Sequence, residues 1–89
     1  MATRQVSIAS SVGLHARPAA LFVQEATATG LPVTIAKEGA DPVDARSILA
    51  VMALGAKHGE QVTLEADGDG ADAALDKLVA LLSRDLDAE

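Results

Sequence analysis

At 89 residues the chain is long enough for one small domain and too short for two. Apolar residues make up 49%, Phe22 is the single aromatic and cysteine is absent, so the core must be aliphatic and alanine-rich, and disulfide scaffolds, iron–sulfur sites and thiol nucleophiles are excluded. A net charge of −6, from seven Lys/Arg against thirteen Asp/Glu, argues against nucleic-acid partners, which call for basic surface and, for single strands, aromatic platforms.

The opening MATRQVSIAS has no apolar run long enough for a signal peptide, and no segment approaches a membrane span. The expected compartment is the cytoplasm, with no membrane insertion. The first strand is expected over Arg4 to Ala9, where Val6 and Ile8 share one face. Ser10 to Leu14 contains Gly13 and reads as a loop. A helix follows from Ala16 to about Thr27, with Ala19, Phe22, Val23 and Ala26 in one apolar stripe. Gly30 and Pro32 end it. Val33 to Lys37 is the second strand, Glu38 to Asp41 a turn, and Val43 to Ala45 a short third strand. Ser47 is the expected N-cap of a short helix, Ile48 to Leu54, stopped by Gly55. His58 and Gly59 fall in the next turn. Gln61 to Ala66 alternates cleanly as a fourth strand. The last helix is expected from Ala71 to Leu86, with Leu75, Leu78, Val79, Leu82 and Leu86 buried. The acidic run from Asp85 to Glu89 is an expected frayed tail. The order β-α-β-β-α-β-α suits an α+β, open-faced two-layer sandwich. A four-stranded antiparallel sheet would carry three helices on one face and leave the other wet.

The chemistry centres on Gly13-Leu14-His15-Ala16-Arg17-Pro18. His15 precedes a helix, where unpaired amides and the helix dipole favour an anion. Pro18 suits the first turn because its missing N–H is not needed there. That leaves the amides of Ala16 and Arg17 as phosphate donors, and the Arg17 guanidinium matches a dianionic phosphate. Neutral imidazole is a nucleophile near pH 7. A lone histidine before a helix also fits plain capping, so spacing alone leaves both readings open. His58 has no acidic or histidine partner at ligand spacing, so no metal site is expected. The glycines at 68 and 70 precede no GK[ST], so no nucleotide loop is expected either. No cofactor is implied.

These residues resemble the signature of the HPr family, the histidine-containing phosphocarriers of the phosphoenolpyruvate-dependent phosphotransferase system. Ala45 to Ala56, ARSILAVMALGA, resembles the family's second signature, and Gly59 to Leu64 the strand that follows. The resemblance implies that enzyme I phosphorylates Nδ1 of His15, and that the group then passes to a histidine of a sugar-specific enzyme IIA. It implies a carrier rather than an enzyme, acting as a monomer. A regulatory nitrogen or dihydroxyacetone branch, or a non-covalent protein-binding module, remains open. Ser47 matches the serine that a dedicated kinase phosphorylates in Gram-positive relatives, so a kinase and phosphatase are conditional partners. The docking face is expected to combine Ala16, Arg17, Ala20, Leu21 and Gln24 with Arg46, Ile48, Leu49 and Met52. Gln24 and Thr27 are neutral where enteric relatives are often basic, so attraction to partners should rest on Arg17 and Arg46. Val12 is apolar where a small polar residue is more usual.

Overall fold

Alternating apolar residues in four short segments need a sheet with one buried face, and the computed structural model of the chain has one. It describes residues 2–11, 13–14 and 16–84. The strands are β1 (Ala2–Ser7), β2 (Val33–Lys37), β3 (Val43–Asp44) and β4 (Gln61–Ala66); the helices are α1 (Ala16–Ala28), α2 (Ile48–Leu54) and α3 (Ala71–Leu82). The sheet order is β1-β4-β2-β3, antiparallel throughout. Val6 pairs with Val62 and Ile35 with Leu64, so one-residue offsets would expose every core side chain at once.

α3 lies over β1 and β4, α2 over β2 and β3, and α1 packs against both other helices. The core between the layers is aliphatic apart from Phe22: Ile8, Val33, Ile35, Val51, Val62, Leu64, Leu75, Leu78 and Phe22 belong to one cluster and are fully buried. Burial of a side chain the size of Phe22 stabilises the fold by about 1.5–3 kcal/mol. On the other sheet face Thr3, Gln5, Ser7 and Gln61 are exposed and Thr34, Thr63 and Glu65 half-buried. That pattern is the wet face anticipated from the alternation.

Three elements, β1, β3 and α3, differ in their bounds from the sequence expectation. β1 begins and ends two residues earlier, because Ala2 and Thr3 pair with Ala66 and Glu65. Beyond Ser7 the chain leaves the ladder: the Ile8 N–H donates to Glu60 at 2.9 Å and the Ala9 N–H to Leu82 at 3.1 Å. β3 stops at Asp44, although the Ala45 N–H still donates to Val33 at 2.9 Å. α3 ends at Leu82, where Ser83 turns both its N–H and its hydroxyl onto the Val79 carbonyl, at 2.9 and 2.7 Å. Leu86 and the acidic tail lie outside the described residues. Val23 and Val79, expected in the buried stripes, are half-buried and pack against the core's rim.

α2 forms as its sequence dictates. The Ser47 side chain accepts from the Ala50 N–H at 3.3 Å, and Gly55 closes the helix in a left-handed conformation with its N–H on Met52. Ser47→Ala should lower stability by about 1 kcal/mol in urea unfolding, with an unchanged m-value. No helix among the described residues is long and apolar enough to cross a membrane.

Candidate phosphoryl-acceptor site

The sheet and the turn after α2 together place the loop that leads into α1. Gly13 takes φ +77° and passes directly over the turn: a Cβ built there would lie 2.6 Å from the Ala56 carbonyl oxygen and 3.0 Å from the Lys57 Cα. Only a residue without a side chain fits this approach. The same Ala56 oxygen accepts the Leu14 N–H at 2.8 Å, and Leu14 itself is buried. The Gly13 N–H closes a tight turn onto Ser10 at 3.0 Å. His15 and Val12 lie outside the described residues.

Past that point Ala16 enters α1 at φ +49°, the one non-glycine residue with positive φ among those described. L-residues pay about 1–2 kcal/mol for the left-handed region, so the surrounding anchors must hold this corner in place. Ala16 and Arg17 are exposed at the positive end of a helix of 13 residues, and Pro18 is buried in its first turn. This arrangement suits an anion at the mouth of α1.

The other expected site residues fall on the adjoining α1 and α2 surfaces. Ala20 and Leu21 are half-buried and Gln24 is exposed. On α2, Val51 alone is fully buried and Met52 packs against the core, whereas Ile48 is 37% and Leu49 79% exposed. These two are the exposed large apolar side chains among the described residues. Arg46 is exposed but engaged: Asp44 Oδ1 accepts its backbone N–H at 2.9 Å and its Nε at 3.2 Å. Those bonds hold the Asp44 carboxyl below the usual carboxylate range. The positive charge offered to a partner by Arg46 is therefore offset locally. Far from this face, Arg4 on β1 bridges Asp72 and Asp76 of α3 at 3.0 and 3.2 Å, and both acceptors raise its pKa. Among the described residues no three His, Asp or Glu side chains form a metal-ligand group.

His58 falls in the turn that follows α2, as its sequence context places it. The structure places its Nδ1 3.1 Å from the Ser10 carbonyl oxygen. A contact spanning 48 positions has no local pattern that could announce it.

An open-faced sandwich with an anchored glycine loop feeding an exposed helix end defines a class of small two-layer α+β domains. The family described as "PTS HPr component phosphorylation site" matches residues 2–84, and the chain belongs to this HPr phosphocarrier family. It is 53% identical over 87 residues to phosphocarrier protein HPr of Streptomyces coelicolor, covering 98% of this chain and 94% of that one. It is 41% identical over 86 residues to the HPr-like protein Crh of Bacillus subtilis, covering 97% and 100%. The crystal structure of HPr from Bacillus anthracis superimposes with a TM-score of 0.86 at 37% identity, covering 91% of this chain and 95% of that one.

Proposed function

We propose that this chain is a stoichiometric phosphoryl carrier of a sugar phosphotransferase system, taking the group from enzyme I on Nδ1 of His15 and passing it to an enzyme IIA. The observation that carries this reading is the anchored turn of Gly13 and Leu14 leading to the exposed Ala16 and Arg17 at the start of α1, with His15 between them in sequence. The Nδ1 lone pair attacks phosphorus, an N–P bond forms and the donor's bond to phosphorus breaks. Nε2 keeps the ring proton, so the neutral imidazole is the reactive form. The helix end steadies the phosphoryl oxygens after transfer, aided by the Ala16 and Arg17 amides and the Arg17 guanidinium. A helix-end effect of about 0.3–2 kcal/mol suits a carrier, because a much deeper well would trap the group. In onward transfer a histidine nitrogen of enzyme IIA attacks the phosphorus, a new N–P bond forms there, and the bond to Nδ1 of His15 breaks with its electron pair returning to Nδ1. The chain acts as a monomer in the cytoplasm.

Docking rests on the apolar patch of α2 beside α1. Leu49 is its centre, since no core role accounts for so exposed a leucine. Leu49→Ala should leave unfolding unchanged within about 0.5 kcal/mol and weaken binding to enzyme I about tenfold or more, as read by titration calorimetry. Ser47 serves as the N-cap of α2. Phosphorylation there would set a dianion beside the docking patch and compete for the cap, which is the physical basis for a regulatory kinase site. The carrier reading is tested by incubating the chain with enzyme I and phosphoenolpyruvate: it predicts a mass gain of one phosphoryl group, discharged on adding enzyme IIA. A chain that gains the group but does not discharge it to any sugar-specific enzyme IIA would point to the regulatory branch.

A further inference from the structure

The turn after α2 carries the chain's second histidine, His58, for which the proposed reaction has no use. Its Nδ1 sits 3.1 Å from the carbonyl oxygen of Ser10. A carbonyl can only accept, so Nδ1 bears the proton and donates it. The same oxygen receives the Gly13 N–H at 3.0 Å, which occupies its second lone pair. At the far end of the loop the Leu14 N–H donates to Ala56 at 2.8 Å. One turn therefore pins the loop twice: the His58 side chain holds its start and the Ala56 main chain holds its end.

The turn is itself braced. The Lys57 N–H donates to Glu60 Oε1 at 2.7 Å and the Glu60 N–H to the Lys57 carbonyl at 3.0 Å. The Gly59 N–H reaches the Ile8 carbonyl at 2.8 Å, tying the turn to the end of β1. A side chain on so firm a base can fix what it touches. Ser10 is buried, at 3% exposure, while His58 lies at the surface, so the imidazole covers the loop's start from the solvent side.

We propose that His58 is a positioning residue for phosphoryl transfer, holding the loop that sets the approach of His15. The proposal rests on His15 being the acceptor. His58 lies outside the docking face on α1 and α2, so its loss should slow the transfer step and leave association alone.

The test uses the full chain with enzyme I and phosphoenolpyruvate, comparing wild type, His58→Ala and His58→Gln. In His58→Ala, kcat should fall about fivefold, the rate equivalent of one hydrogen bond, with KM for the carrier unchanged within about twofold. The Gln side chain can donate to the same carbonyl and should restore kcat to within about twofold of wild type. Nitrogen-15 NMR of the unphosphorylated wild type at about pH 8 should find His58 protonated at Nδ1 and bare at Nε2. The tautomer needs no variant and decides the case even if His58→Ala does not fold. An Nε2–H tautomer, an unchanged kcat in His58→Ala, or a raised KM with kcat intact overturns the proposal. A wild-type chain that takes no phosphoryl group overturns the acceptor reading as well, and so separates the two failures.

Discussion

Gly13→Ala is expected to destabilise the fold by about 2–4 kcal/mol and to slow phosphoryl uptake more than tenfold. Two terms combine. Alanine at φ +77° pays about 1–2 kcal/mol for the left-handed region. Its Cβ would then meet the Ala56 carbonyl at 2.6 Å, where backbone faces backbone and neither side has a rotamer to yield. Relief requires the loop to lift, which strains or breaks the Leu14 bond to that same oxygen, and overpacking of this kind costs about 1–3 kcal/mol. Gly39→Ala is the control. Gly39 has a similar φ of +81° but nothing within 4 Å of its Cβ position, so only the conformational term applies. Urea unfolding should show Gly13→Ala losing at least about 1 kcal/mol more than Gly39→Ala. Equal losses would mean that the close approach over Ala56 does not constrain the loop. For a domain of this size the Gly13 change also predicts a Tm drop of roughly 10–25 °C.

Much of the fold was legible because its boundaries are written in local chemistry. Val33–Lys37, Ile48–Leu54 and Gln61–Ala66 occur where their flanking residues place them: Pro32, Ser47 and Gly55, and Gly59 are turn or cap residues with local reasons to stop an element. The ends of β1 and α3 were not legible. Alternation continues through Ile8, yet pairing stops at Ser7↔Gln61, a decision made by the opposite strand. The leucine stripe of α3 runs past Leu82, yet Ser83 folds back on Val79. The first is a tertiary outcome that periodicity does not encode; the second is a local side-chain bond spanning four residues that overrides the leucine period.

The same division runs through the site. The Gly13-to-Pro18 motif and the apolar surface of α2 follow from residue types at short spacing. Val51 rather than Met52 is the fully buried side chain of α2, because a helix of seven residues turns one side inward. Neither the support of Gly13 by Ala56 nor the contact between His58 and Ser10 has a local signature, because each joins segments more than 40 positions apart. The pairing of Arg46 with Asp44 is local, spanning two residues, and the expectation of a basic docking contribution from Arg46 passed over it. What the structure adds is a physical reason for the loop to be stiff: it is built on a turn fixed by main-chain bonds, and it ends at the open end of α1.

The account's central claim is that one residue, His15, carries the phosphoryl group. Removing its imidazole removes the nucleophile, and His58 sits on a separate turn, outside the docking face on α1 and α2. The loss in His15→Ala should be complete rather than partial, with the fold intact by circular dichroism. The most direct measurement is intact-mass spectrometry after incubation with enzyme I and phosphoenolpyruvate, followed by brief exposure of the product to acid or to base. The account predicts one phosphoryl group on the wild-type chain, lost in acid and kept in base, and none on His15→Ala. A phosphoryl group that survives acid, or one that His15→Ala still acquires, would contradict it.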